Sequence, residues 1–155
     1  MKIQLFVLAL AASVVLGSCS KEENDLEVKT GAITVTGDLN YSVVGTASVL
    51  FIGDTLAGVT IASSDGEKVL AVNLKASNIF RSATYSVNNN GVTLNGESNS
   101  NLQDNANTAF NGTGGTIRID KGEANDFQGE IRNMQMVNFD GSNITINGTF
   151  RAAAN

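Results

Sequence analysis

Short runs of alternating apolar and polar residues, separated by turns rich in Gly and Asn, limit this chain's fold more than any other feature. In "GAITVTG", Ile33 and Val35 alternate with Thr34 and Thr36, which is the two-residue period of a strand with one buried face. Gly and Asn between such runs accept the positive backbone angles that tight turns need. The pattern therefore favours strands over helices.

Similar runs recur along the chain and predict roughly seven to nine short strands. The segment "TASVLFIGD" is apolar at both parities, which indicates either a strand covered on both faces or a short buried turn of helix. Turn residues predict one hairpin through Ser63 to Glu67 and a second through Asn88 to Gly91, joining strands near Tyr85 and Val92. Asp140 and Gly141 predict a third, tight hairpin.

The last part of the chain has clear strand signals at Thr116 to Asp120, Phe127 to Val137 and Asn143 to Phe150. The polar segment before them, Ser98 to Gly115, is predicted as a long loop, with an edge pairing of Thr108 to Phe110 as the alternative. The whole pattern predicts an all-β fold, first as an antiparallel β-sandwich and alternatively as a β-barrel. The residues predicted to face inward are Ile33, Val35, Val59, Ile61, Leu70, Val72, Leu74, Tyr85, Ile117, Ile119, Phe127, Ile131, Met134, Met136, Ile144, Ile146 and Phe150.

The composition excludes several classes of function. The chain has no His, no Trp and one Cys, so it cannot use a Ser-His-Asp, Cys-His or His-zinc mechanism. Its formal net charge is −5 and its ten basic residues are scattered, which gives no support to nucleic-acid binding. We expect no enzyme activity, no catalytic residue and no cofactor.

The first residues, "MKIQLFVLALAASVVLG", have the organisation of an export signal. Lys2 precedes an apolar run from Ile3 to Leu16, and the small residues Gly17 and Ser18 follow it. The run is shorter than the ~20 residues that a membrane-spanning helix needs. The alternative, a buried core helix, is disfavoured because the run is apolar on every side.

The motif "LGSC", at Leu16 to Cys19, resembles the lipobox of bacterial lipoproteins. The resemblance implies a signal peptide over residues 1–18, cleavage before Cys19, and lipidation of the Cys19 thiol. Burying several acyl chains at about 0.8 kcal/mol per CH₂ would give a lasting membrane anchor. The alternative is an ordinary secretory signal with an incidental cysteine.

The run "SKEEND" follows Cys19 and includes Lys21, Glu22, Glu23 and Asp25. It is similar to the surface-export signal of Bacteroidota lipoproteins, which implies an outer-membrane protein exposed at the cell surface. A periplasm-facing anchor is the alternative, and the composition of residues 19–30 also fits a flexible acidic tether. The all-β domain is then expected over residues 31–155.

The C-terminal half resembles small Bacteroidota lipoproteins whose all-β domain has no assigned function. The shared elements are "SATYSV", "GTIRID", "FQGEI" and "ITINGTF", and the similarity spans roughly residues 56–150. The resemblance implies an all-β surface domain and brings no catalytic residue.

Two segments suggest ligand or modification sites. Asp104, Asn105 and Asn107 offer oxygen atoms of the type that Ca²⁺ prefers, although the spacing does not match a calcium-binding loop. The alternative is a plain Asn-rich loop. "GDTL" resembles the motif at which exported Bacteroidota proteins carry O-glycans, with Thr55 as the acceptor.

Other polar residues offer weaker candidates. Asp120, Glu123, Asp126 and Glu130 are the carboxylates that a glycosidase pair could use, but their spacing around a turn suggests solvated loop charges. Tyr41 and Tyr85 are the two tyrosines that could stack on a glycan. Sequons begin at Asn111, Asn143 and Asn147, and we interpret these residues as parts of turns and strands.

Three functional hypotheses follow. The first is a lipid-anchored domain with a non-catalytic binding or structural role, whose partners are the membrane, through Cys19, and a glycan or an outer-membrane protein. The second is a glycan-binding accessory of a polysaccharide-uptake system. The third is a hydrolase or a hydrolase inhibitor.

Overall fold

The computed structural model describes residues 29–88, 94–105 and 108–154, and confirms the all-β prediction. Most of the described chain lies in nine strands, several of them longer than expected. The strands are β1 (Thr30–Gly37), β2 (Tyr41–Ile52), β3 (Leu56–Ser63), β4 (Lys68–Lys75), β5 (Ala83–Val87), β6 (Glu97–Asp104), β7 (Ala109–Glu123), β8 (Asp126–Val137) and β9 (Asn143–Ala152).

The nine strands form one closed barrel, in the order β1, β2, β3, β4, β6, β5, β7, β8, β9. The preferred β-sandwich was therefore wrong, and the alternative, the barrel, is observed. Closure comes from β1, which pairs with β2 on one side and with β9 on the other. The β1–β9 ladder runs from Gly31 opposite Phe150 to Gly37 opposite Ile144. This ladder removes the two open edges that a sandwich would leave.

The two ends of the barrel differ in what they carry. We call the end at which the described chain enters, at Lys29, the near end; it also holds the turns at residues 53–55 and 124–125 and the connection at residues 76–82. We call the opposite end the far end; it holds the turns at residues 38–40, 64–67 and 138–142. Adjacent strands alternate in direction except β5 and β6, which pair in parallel over two positions.

The barrel interior is a packed apolar core. All the residues predicted to face inward are buried, so the alternation was interpreted correctly in these strands. Phe127 makes an edge contact with Phe51 at 5.3 Å and stacks on Phe150 at 6.3 Å, both measured between ring centroids. Ile79, from the connection at residues 76–82, is fully buried and closes the near end.

The region around β5 and β6 differs from the prediction. Residues 98–115, expected to form a loop, contain β6 and the start of β7. β6 was missed because its inward positions include Ser98 and Ser100, which are buried although polar. The turn and second strand of the hairpin predicted after Tyr85 lie outside the described residues, and β6 pairs with β5 in parallel and with β4 antiparallel. The strand expected near Val92 falls outside the described residues.

The segment "TASVLFIGD" is a strand, part of β2, but it is not covered on both faces. Val49 points into the core with 1% exposure, whereas Leu50 is 64% exposed and Ile52 is 63% exposed. Leu50 and Ile52 therefore lie on the outer surface of the barrel, close to the end at which Lys29 enters. Within residues 29–88, 94–105 and 108–154 no element covers them, because these residues form a single barrel.

The predicted export signal, Cys19 and the run after it, with Lys21, Glu22, Glu23 and Asp25, lie outside the described residues. No helix in the described ranges has the length and hydrophobicity to span a bilayer.

Candidate functional site

A polar cluster of Tyr41, Lys68 and Asp104 lies at the far mouth of the barrel. Each residue lies at the far end of its strand. Each also occupies an inward position, because the residue two positions closer to the middle of the same strand (Val43, Leu70 or Leu102) faces the core. Lys68 and Asp104 are directly opposite each other in the β4–β6 ladder. The core is therefore capped at this end by polar side chains.

The electrostatics of this cluster favour a fixed structure over acid–base chemistry. Lys68 Nζ lies 3.5 Å from Asp104 Oδ1 and 5.2 Å from the centroid of the Tyr41 ring, within the range of a cation–π contact. Burial and the neighbouring Asp104 carboxylate raise the pKa of Tyr41 far above its usual value. The phenol therefore stays protonated near neutral pH and cannot act as a base there.

The turn at residues 138–142 extends the far-end surface beyond this cluster. Asn138 Oδ1 accepts hydrogen bonds from the backbone N–H groups of Asp140, at 3.1 Å, and Ser142, at 2.9 Å. Asp140 Oδ1 accepts from the N–H and hydroxyl of Ser142, and these contacts lower the pKa of Asp140. Held by this network, Phe139 is 97% exposed. The Phe139 ring is therefore presented to solvent on a turn whose backbone is hydrogen-bonded.

The Phe139 turn and the polar cluster are neighbours. A pocket of about 170 Å³ lies between the 138–140 turn and residues Thr108 and Ala109. The backbone N–H of Asp104 donates to the Thr108 carbonyl at 2.8 Å. The far-end surface therefore runs from Tyr41 and Lys68 through Asp104 to Phe139.

Other turns at this end are also fixed by short polar side chains. The Ser63 hydroxyl donates to Asp65 Oδ1, which also accepts the N–H of Glu67 at 3.0 Å; these contacts lower the pKa of Asp65. Asp38 Oδ2 accepts the N–H of Asn143 at 2.6 Å. Such bonds satisfy the backbone within each turn and reduce its conformational freedom. The far end is therefore a preformed surface.

The carboxylates considered for a glycosidase are ion-paired. Asp126, whose side chain is 12% exposed, lies 2.7 Å from both Lys121 Nζ and Arg151 Nε, and Gln128 donates to it at 2.8 Å. These partners, first Arg151 and then Lys121, hold the pKa of Asp126 well below its usual range. The expectation that Asp126 is a solvated loop charge was wrong, because Arg151 reaches it from β9.

Asp120 and Glu130 are paired in the same way on the outer wall. Arg118 Nη2 lies 2.6 Å from Asp120 Oδ1, and Arg132 Nη2 lies 2.6 Å from Glu130 Oε2. Arg132 lowers the pKa of Glu130. A glycosidase needs a general acid whose pKa is raised. The pKa values of Asp126 and Glu130 are instead lowered. Glu123 is 66% exposed and lies 3.2 Å from Lys121.

The predicted calcium ligands do not converge in the described part of the chain. Asp104 points into the barrel towards Lys68, and Asn105 lies in the following turn with a positive φ of 71°. Asn107 falls outside the described residues. No group of three or more Asp, Glu, Cys or His residues that could hold a metal ion occurs within 29–88, 94–105 and 108–154.

Thr55 and the tyrosines lie in contrasting positions. Thr55 is exposed in the turn between β2 and β3 at the near end, where an O-glycan could be attached. Tyr85 is fully buried and cannot stack on a glycan, whereas Tyr41 is half-buried beneath Lys68.

The asparagines of the three sequons serve as turn and strand residues. Asn111 accepts a hydrogen bond from Asn101, Asn143 donates to the Gly141 carbonyl, and Asn147 accepts the N–H of Asn133.

Sequence reasoning missed the far-end cluster and Phe139. The cluster joins residues from three strands, so only a correct strand order could have brought them together. Phe139 did have a local signal, since it is an apolar residue inside a turn sequence, "NFDGS". Compared with protein-family models, with curated protein sequences and with solved structures, the chain matches none.

Proposed function

We propose that this chain is a lipid-anchored outer-membrane lipoprotein whose barrel is a non-catalytic binding domain at the cell surface. The lipobox-like "LGSC" and the acidic run after Cys19 support the anchor and its location. The far-end surface supports the binding role. The membrane anchor and the binding surface are then at opposite ends of one rigid body.

The observation that carries the proposal is the separation of these two ends. The described chain begins at Lys29 at the near end, while Phe139 lies beyond the far end of β8 (Asp126–Val137). A twelve-residue strand tilted as in most barrels spans roughly 28 Å along the axis. A partner could therefore reach Phe139 without being obstructed by the membrane.

A binding role fits the chemistry of the described residues better than catalysis does. The carboxylates Asp120, Asp126 and Glu130 are neutralised by nearby cations, and the buried Tyr41 phenol is held protonated. The far-end turns, in contrast, present an exposed aromatic ring on a fixed backbone. Preformed surfaces bind with less loss of conformational entropy.

The anchor is tested with the full chain expressed in a lipoprotein-producing bacterium. We expect incorporation of an alkyne-labelled fatty acid and an intact mass equal to residues 19–155 plus diacylglyceryl and acyl groups. A Cys19→Ser variant should lose both signals. Label retained by this variant, or an unlipidated mass for the wild type, would refute the anchor.

Surface exposure is tested by protease treatment of intact cells. A variant with Glu22, Glu23 and Asp25 replaced by Ala should be protected from the protease while remaining lipidated. Equal digestion of this variant and the wild type would show that the acidic run does not direct export.

The binding role is tested with a photo-crosslinking amino acid at position 139 of the full chain on intact cells. A discrete adduct is expected from this position, and none from position 113, an exposed site on the outer wall of β7. The same pattern from both positions, or no adduct from either, would contradict a binding site at the far end. A glycan array with the full mature chain tests the glycan-binding alternative.

A further inference from the structure

The near end carries a cluster of exposed apolar side chains that the proposed function does not use. Leu50, Ile52, Leu94 and Phe80 are 64%, 63%, 57% and 38% exposed, and Leu56 is half-buried beside them. We call these five residues the apolar rim. Large exposed apolar side chains away from the near end are Val44 and Phe139. The apolar surface of the described chain is therefore concentrated at one end.

The rim extends across neighbouring strands and is interrupted by one pair of charged residues. Ile52 is opposite Leu56 in the β2–β3 ladder, Leu56 is opposite Lys75, and Lys75 is opposite Glu97. Leu94 follows directly, since its carbonyl accepts the N–H of Glu97 at 3.0 Å. Four strands at about 4.8 Å spacing make this band roughly 14 Å wide.

The rim also has depth. Leu50 is opposite Gly58, and the missing side chain leaves a groove of about 240 Å³ lined by Leu50, Ile52, Leu56 and Asn73. Phe80 lies at the barrel mouth beside this groove, with its ring centroid 5.0 Å from that of the inward-facing Phe51. Apolar area of this kind on a monomer marks a site of interaction with a protein or a membrane.

The position of the N-terminal segment indicates which of these covers the rim. The Lys29 carbonyl accepts the N–H of Ala47 at 3.1 Å, which fixes the entering chain beside β2 at the near end. Ten residues separate Lys29 from Cys19, and ten extended residues span at most about 35 Å. A bilayer holding lipidated Cys19 would therefore be within about 35 Å of Lys29, at the same end of the barrel as the rim.

The charges around the rim are of both signs, since the exposed Asp54 lies in the turn between Ile52 and Leu56 and Glu97 is opposite Lys75, and the basic groups are those that would meet lipid phosphates. Lys75 lies within the band, between Leu56 and Glu97, and the exposed Arg81 follows Phe80. Basic side chains beside exposed apolar groups are typical of proteins that lie in the interfacial region of a membrane, where lipid phosphates attract the cations.

We propose that the apolar rim of Leu50, Ile52, Leu56, Phe80 and Leu94 rests in the lipid interface of the bilayer that holds the Cys19 anchor. This proposal rests on the proposed lipid anchor. The contact tilts the barrel onto its β2–β3–β4 side and orients the far end away from the membrane. The occupant of the groove is a segment of lipid acyl chain.

The test uses spin labels on the lipidated full chain in vesicles of phosphatidylethanolamine and phosphatidylglycerol. Cys19 is the one cysteine of the chain, and lipidation consumes its thiol, so Ile52→Cys carries a single nitroxide. On vesicles this label should gain collisions with oxygen and lose collisions with a water-soluble nickel complex. A label at Phe139→Cys should keep the high collision rate with the nickel complex that is expected of a label exposed to water. Adding Leu50→Ser and Leu94→Ser should return the position-52 label to aqueous values.

Each other outcome overturns the lipid contact. A position-52 label as accessible to nickel as the position-139 label means that the rim stays in water. A label shielded from both reagents, with dipolar broadening between labels, means that a second copy covers the rim. A mass increase from a glycan on Thr55, which lies between Ile52 and Leu56, places a polar group at the rim. Failure of the anchor itself is seen separately, as a missing lipid mass and a second, labelled thiol at Cys19.

Discussion

Asp126→Asn isolates the contribution of one nearly buried carboxylate to barrel stability. Asp126 accepts hydrogen bonds from Arg151 Nε at 2.7 Å, Arg151 Nη2 at 3.1 Å, Lys121 Nζ at 2.7 Å and Gln128 Nε2 at 2.8 Å. Asparagine keeps one side-chain oxygen as an acceptor. Its NH₂ group replaces the other oxygen, so a donor faces a cationic donor there. With bonds to charged groups worth about 1.5 to 3 kcal/mol, we expect a loss of about 2 to 3 kcal/mol in the free energy of unfolding.

The effect should depend on pH in a defined direction. Because the native pKa of Asp126 is lowered from 3.8, its ionised form stabilises the fold fully above about pH 5. That stabilisation is lost as the pH falls below the unfolded-state pKa towards the lower native pKa. Urea unfolding followed by circular dichroism should therefore separate wild type and variant at neutral pH and bring them together in strong acid.

Glu123→Gln is the matched control. Glu123 contacts the same Lys121 at 3.2 Å but is 66% exposed, so the same change of charge should cost less than about 1 kcal/mol. Equal losses from the two variants would mean that net charge, and not the Asp126 geometry, sets the stability. A difference between wild type and Asp126→Asn that persists unchanged in strong acid would refute the electrostatic explanation.

Three further predictions concern the core and the tyrosines. Ile79→Ala should lower the free energy of unfolding by about 2 to 4 kcal/mol, because Ile79 is fully buried, whereas Phe80→Ala should cost much less; similar urea midpoints would contradict this. Gly148→Ala should destabilise strongly, since its Cβ would lie 2.3 Å from the Ala32 carbonyl oxygen, while Gly58→Ala has 3.4 Å to Asn73 Oδ1 and should be tolerated; thermal melts compare them. Absorbance at 295 nm should show both tyrosines ionising above pH 10.0, because burial raises the pKa values of Tyr41 and Tyr85, and stability should fall as the pH rises above 10.0; normal titration in the folded protein would refute this.

The strands with strict apolar alternation could be predicted from the sequence. β8 and β9 carry Ile131 and Ile146 at inward positions and were located closely, whereas β7, with Ile117 inward, was located only over Thr116 to Asp120. β6 could not be located in the same way, because Ser98 and Ser100 occupy buried positions and give a polar signal. The alternation of apolar and polar residues indicates which face of a strand is buried only where the buried residues are apolar.

The strand order and the candidate site depend on contacts distant in sequence. The choice between sandwich and barrel depends on the pairing of β1 with β9, and the far-end cluster depends on Tyr41, Lys68 and Asp104 meeting across three strands. Local patterns contain no information about such pairs. Arg151, which pairs with Asp126 from 25 residues away, was missed for the same reason.

The β1–β9 ladder makes the first and last strands of the barrel mutual partners. β1 has no second neighbour until β9 (Asn143–Ala152) has left the ribosome, so the barrel cannot close before β9 has been synthesised. Such a topology is expected to fold slowly. A chain lacking residues 143–155 would lose β9, expose the unpaired edges of β1 and β8, and become prone to aggregation. Synthesis through β9 is thus a condition for closing the barrel.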